Sequence, residues 1–259
     1  MAIPPLFNEA FLLWFRARTE AGWKNVPVYS ADANLEQEDT WGKWHPDWRG
    51  ARWLEPLADQ EIEAIERQWH IRFPPDYRLF YKWLHATDRP RFEFVPGEYI
   101  TGLFYNWQRA PASIQRAYEH ILSGFAFDAI HHPCFWRSAW GTIPGTEEEA
   151  RHRLKPIVDA APRLIPLCGH SYLLAEPCQA ENPVLSIWQS DIIVIAPNLR
   201  TYLLREWSRS RAFKHNFGPS LLHLTTHDQK VVYEEIDRLM DERKQAYKAI
   251  PFWGDYLFF

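Results

Sequence analysis

Cysteine is scarce in this chain, and with it the simplest means of stapling a fold. Cys134, Cys168 and Cys178 are the only three in 259 residues; so few thiols, and an odd number, exclude a disulfide scaffold and fit a reducing compartment. Glycine is also sparse, eleven residues against twenty prolines, which describes stiff corners rather than flexible linkers. Neither sign of charge is in excess: 29 basic and 33 acidic residues leave a formal net charge of −4, without the footprint of a nucleic-acid binder. No apolar run approaches the ~18 residues a membrane span needs. The apolar residues 11–15 follow Asn8-Glu9 and precede Arg16 and Arg18, so they lack the basic flank and small-residue cleavage site of a signal peptide. A cytoplasmic protein is expected. What the chain does have is apolar residues (46%) and fourteen tryptophans, enough to build a sizeable core.

Several kinds of chemistry are missing as well. There is no Cys-x-x-Cys or His-Glu-x-x-His, so His131-His132-Pro133-Cys134, Cys168-Gly169-His170 and Cys178 read as thiols and turn histidines, and neither metal nor other cofactor is expected. Gly-x-Ser-x-Gly and both glycine-rich phosphate loops are absent, which removes the common nucleophile elbow and nucleotide cradles. Glu176, Glu181 and Asp191 could approach one another around a strand pair, and a small hydrolase at a His170/Glu176/Asp191 corner is the outlying alternative. Acidic residues at strand ends are more often turn formers and caps. The densest basic run, Arg205, Arg209, Arg211, Lys214 and His215, suits a solvated helix end and is too narrow for phosphate neutralisation.

Periodicity predicts a single α+β domain. Phe7, Phe11, Trp14, Phe15 and Arg18 lie at helical spacing, with Asn8 to cap the helix and Gly22 to end it. Ala58, Ile62, Ile65 and Trp69 share one face of a second helix. Pro74-Pro75-Asp76 opens a third, with Tyr77, Phe80 and Leu84 along its stripe. Apolar stretches 92–95 and 99–105 flank Pro96-Gly97 as a hairpin. A helix is expected over 113–124, and Thr146-Glu147-Glu148-Glu149 is a capping-box pattern that opens another. Strands are predicted at 184–188 and 192–196, the second continuously apolar as if covered on both faces. Helices at 198–208 and 228–247 close the fold, the last with Val232, Ile236, Leu239 and Met240 as its stripe.

Two stretches together resemble the SUKH superfamily, which contains fungal cell-wall-assembly regulators of the Smi/Knr type and many bacterial toxin-immunity proteins. The first runs from Trp53-Leu54-Glu55-Pro56-Leu57-Ala58-Asp59-Gln60-Glu61-Ile62 to Ile71-Arg72-Phe73-Pro74-Pro75-Asp76-Tyr77. The second is Leu164-Ile165-Pro166-Leu167-Cys168-Gly169-His170-Ser171-Tyr172-Leu173, continued by Asn182-Pro183-Val184-Leu185-Ser186-Ile187-Trp188-Gln189-Ser190-Asp191-Ile192-Ile193. Trp136 and Trp140-Gly141 resemble a weaker motif between them. The chain departs from the pattern at Ala58, where the family has Ser or Thr; the missing cap costs a helix about 0.5–2 kcal/mol, unless Asp59 takes over by starting the helix one residue later. It departs again at Ser171, where Arg is favoured, and at Val194-Ile195-Ala196.

The resemblance implies an α+β domain over residues 53–259, with a mostly antiparallel sheet flanked by helices. Residues 1–52 are then a helical, Trp-rich extension packed on it. It also implies a non-catalytic protein that binds and neutralises a cognate toxin domain. A cell-wall-linked regulatory or glycan-binding module is the alternative. Trp41, Trp44, Trp48 and Trp53 fall within thirteen residues in neither helical nor strand spacing. Their indoles could clamp the extension to the core, stack on sugars or anchor a protein partner. Expected partner contacts are Trp41, Trp44 and Trp48 from that stretch, with His170, Tyr172, Glu176, Trp188 and Asp191 around the strand pair. The apolar tail after Ile250 would be a sticky patch if exposed, and is expected to dock on the domain or on a second copy.

Overall fold

The computed structural model describes residues 2–24, 50–88, 90–92, 99–101, 104–208, 222 and 224–257. The first helix, α1 (Glu9–Lys24), is capped as its sequence suggests, with Asn8 Oδ1 accepting the Phe11 N–H at 3.1 Å. Gly22 does not end it but lies buried inside it. Helix α2 (Asp59–Trp69) turns Ile62 and Ile65 inward. Its N-cap is Ala58, so Asp59 does not replace the missing hydroxyl. Instead the Glu61 carboxylate reaches back to the Ala58 N–H at 2.8 Å, and Asp59 pairs with Lys82 at 2.8 Å. Helix α3 (Pro75–Tyr81) begins at the Pro-Pro-Asp-Tyr segment and buries Tyr77, Phe80 and Tyr81.

The residues flanking the predicted hairpin form β1 (Pro90–Phe92) and β2 (Tyr99–Thr101), which pair antiparallel; the turn at Pro96-Gly97 lies outside the described residues. Helix α4 (Pro111–His131) continues seven residues beyond Gly124, where a glycine suggested a stop. In α5 (Glu147–Asp159) Thr146 Oγ1 accepts the Glu149 N–H at 3.2 Å, while the Glu149 carboxylate takes the Gly145 N–H at 2.9 Å. The box is therefore closed one residue earlier than the motif implies. Helices α6 (Leu199–Ser208) and α7 (Thr226–Lys248) follow the sheet.

That sheet has four antiparallel strands in the order β3 (Leu164–Cys168), β4 (Ser171–Leu174), β5 (Val184–Trp188) and β6 (Asp191–Ala196). The arrangement is α+β, an antiparallel sheet among helices. Strands β3 and β4 are buried throughout. The first half of β6 instead alternates, with Asp191 and Ile193 facing outward, so its apolar run is covered on both faces only from Val194 onward. With a rise of about 3.3 Å per residue, the two ends of the β5–β6 hairpin stand roughly 15 Å apart. One end carries the Gly169-His170 and Gln189-Ser190 turns; the other meets the 175–183 loop.

Aromatic rings fill the core. Trp53 lies against Phe15, Trp23, Phe80, Phe104 and Trp207 at centroid distances of 5.7–6.0 Å, and its indole N–H donates to Thr19 Oγ1 at 2.8 Å. Trp53 thus clamps α1 to the rest of the fold. The C-terminal tail docks on its own chain: Phe252, Trp253 and Tyr256 surround Phe125, the Trp253 N–H donates to Pro162 O at 2.7 Å, and Leu257 forms a parallel bridge to Ile192 on the outer edge of β6.

Candidate functional site

At one end of the sheet the two recognisable stretches meet. Asp76, at the start of α3, is buried; Oδ1 accepts the Tyr77 N–H at 2.9 Å, and Oδ2 accepts the Glu181 N–H of the 175–183 loop at 3.2 Å. Glu181 stands at φ 68°, and its carboxylate accepts from Asn198 at 2.7 Å and from Arg243 of α7 at 3.2 Å. Asn182 is buried and donates to Leu174 O and Pro177 O at 2.9 and 2.8 Å. Burial pushes the Asp76 carboxyl up to about 6, with a smaller rise from the Glu181 charge, against the N–H donors that favour ionisation. Glu176, on the same loop, takes the Arg163 N–H at 3.0 Å. These carboxylates have local structural partners.

The opposite end is built differently. α4 runs past it so closely that a Cβ on Gly124 would meet Gln189 Cα at 2.9 Å, which explains a glycine in mid-helix. One turn on, the buried Asp128 carboxylate accepts both the Ser190 N–H at 2.8 Å and the Ser190 hydroxyl at 2.6 Å. This pins a turn in which Gln189 adopts φ 57°, a region that usually suits glycine. The pinned turn presents Trp188, which is 53% exposed. His120 of α4 and His170 of the neighbouring turn meet its ring edge-on at 5.4 and 6.0 Å. Desolvation lowers the His120 pKa, so its imidazole is neutral at pH 7. Asp191 faces Trp188 in register across the hairpin, and Ile193, two residues on, is 40% exposed. Among the described tryptophans, Trp188 alone is exposed.

The structure therefore brings together His170, Trp188 and Asp191, and separates them from Glu176 and Glu181 by the length of the hairpin. No His170/Glu176/Asp191 corner forms. Tyr172 is a core residue, fully buried, with its hydroxyl donating to Ala117 O at 2.9 Å. Trp41, Trp44 and Trp48, and Arg209, Arg211, Lys214 and His215, lie outside the described residues. Arg205 donates to the carbonyl of Ile195. Sequence reasoning missed His120, Gly124 and Asp128 on α4 and Ile193 on β6. The available signal was Asp128 itself, a carboxylate set in the otherwise apolar run 124–130.

Other features offer less. A surface groove of about 850 Å³ between α2 and α3 is lined by Glu63, Glu66, Arg67, His70, Arg72 and Arg78, but four of its charges are offset within Glu66–Arg78 and Glu63–Arg67 pairs. Among the described residues no cluster of His, Cys, Asp and Glu could hold a metal ion, and no helix is long and apolar enough to cross a membrane. Residues 56–205 match the model of the SMI1 / KNR4 family (SUKH-1), a span that contains the first sequence stretch from Pro56 onward, all of the second and the whole four-stranded sheet while leaving α1 and α7 outside. No curated protein and no solved structure matches the chain.

Proposed function

From the premise that the chain belongs to the SMI1 / KNR4 family (SUKH-1), we propose that it is a non-catalytic, immunity-type protein that binds and neutralises a cognate toxin domain. The contact face is the Trp188 end of the sheet. One observation carries this reading: the single exposed indole among the described tryptophans sits on a turn held rigid by a buried carboxylate. Tryptophan is enriched among residues that dominate binding energy, and a ring held in place beforehand loses little conformational entropy on docking. The chemistry around it suits recognition, since the acidic groups at the far end of the sheet are engaged in holding α3, the 175–183 loop and α7 together.

The test is co-expression with the protein encoded beside this gene, followed by affinity measurement with the purified pair. Trp188→Ala should weaken the complex by roughly thirtyfold or more, as removing a central anchor of about 2 kcal/mol does, with the melting temperature unchanged. Unaltered affinity in a folded Trp188→Ala variant would remove this face from the interaction.

A further inference from the structure

The pair formed by Trp188 and Asp191 has a definite chemical preference, and we infer that the partner inserts a cationic side chain, an arginine, between them. The inference rests on the protein-binding reading and specifies what that partner presents.

Trp188 and Asp191 are directly opposed residues of an antiparallel pair, so their side chains emerge on the same side with Cβ atoms about 5 Å apart. Among the described residues, no hydrogen bond or ion pair engages the Asp191 carboxylate, and both residues are exposed. The other carboxylate at this turn, Asp128, is buried, with Oδ2 taking both Ser190 donors. His120 and His170 pack against the ring at interplanar angles of 60° and 82°, and with both in place Trp188 remains 53% exposed, so ring surface stays open to solvent. An indole face is the best aromatic site for a cation, and a carboxylate beside it completes the match for a guanidinium, which stacks and forms paired hydrogen bonds at once. His120 is neutral at pH 7 and does not compete for the carboxylate. Ile193, on the same side as Asp191 and two residues along, adds an apolar shoulder for the residue next to the arginine.

The experiment uses the full chain labelled with 5-fluorotryptophan, the Trp188 resonance being assigned by its loss in Trp188→Phe. The probes are acetyl-Leu-Arg-Leu-amide and its citrulline counterpart, equal in shape but uncharged. The Trp188 fluorine signal should move with the arginine peptide, which should bind roughly five- to tenfold more tightly than the citrulline peptide, as an exposed cation–π contact plus one ion pair allows. Asp191→Asn, a substitution at an exposed strand end, should reduce that difference to roughly two- to fourfold, the part left to the cation–π contact. Equal responses of the wild type to the two peptides, or an Asp191→Asn variant that discriminates between them as strongly as the wild type, would overturn the inference. The two readings fail differently: a cognate partner released by Trp188→Ala but indifferent to Asp191→Asn refutes the arginine and leaves the face standing. A partner indifferent to both refutes the face itself.

Discussion

The buried carboxyl that joins the two signature stretches should make stability depend on pH in an unusual direction. Asp76 ionises near 3.8 in an unfolded chain and near about 6 in the fold, mainly because burial disfavours its charge. Between those values the folded protein holds a proton that the unfolded chain has released, so raising the pH favours unfolding. The contribution is complete below the unfolded pKa and is lost as pH climbs through the folded one. A shift of about two units corresponds to about 3 kcal/mol, at 1.36 kcal/mol per unit. Asp59 and Glu61, whose pKa values are lowered by Lys82 and by the Ala58 N–H respectively, act in the opposite sense. Comparison with a variant removes them, because both chains carry them.

Asp76→Asn keeps the shape and one acceptor oxygen but cannot ionise. In urea unfolding at pH values from about 4 to about 7.5, the wild type should lose about 3 kcal/mol relative to this variant. Near pH 4 the variant should be the weaker of the two by about 1 kcal/mol, the usual net value of one hydrogen bond. The curves should converge and then cross as pH rises. Parallel curves across the whole range would refute the placement of Asp76 as a buried, ionisable link to Glu181.

Other substitutions test the remaining elements. Gly124→Ala should destabilise by about 1–3 kcal/mol despite alanine's better helix propensity, because the new methyl meets the Gln189 backbone; an increase in melting temperature would contradict that close approach. Tyr172→Phe should cost about 1 kcal/mol through the lost bond to Ala117 O and leave partner affinity unchanged, which titration calorimetry can check. Arg200 is buried, pairs with Glu235 at 2.8 Å and donates to Pro4 O at 3.0 Å. Arg200→Met should release the N-terminal residues and cost about 2–3 kcal/mol, a discount on a fully buried pair because Glu235 is partly exposed; faster cleavage before α1 in limited proteolysis reports the release.

Much of this fold was legible along the chain. Helical and strand periodicity placed α2, α3, β5, β6 and α7 close to their observed limits, because each buries a face defined by local spacing. Glycine misled twice. Gly22 and Gly124 looked like helix ends, whereas each lies inside a helix, and at Gly124 the requirement comes from a strand turn 65 residues later in the chain. Long-range close approach leaves no periodic trace. The same holds for the proposed contact face: Trp188 and Asp191 were expected contacts around the strand pair, but His120 joins them only through the path of α4. Tyr172 was among the expected contacts, yet β4 is buried along its whole length and holds it in the core. The SUKH resemblance is matched by the family model over residues 56–205, and Asp76 of the first segment reaches the loop beside the second through the Glu181 N–H.

The outer margin of the sheet has a further consequence. Leu257 occupies it at Ile192 and the Arg205 guanidinium takes the carbonyl of Ile195, so two points of this edge strand are already taken by the chain itself. Fewer ladder groups remain there for strand-by-strand extension, which leaves side chains as the larger part of what that border presents. Selectivity is thereby handed to a few outward groups whose identity can drift without disturbing the scaffold beneath.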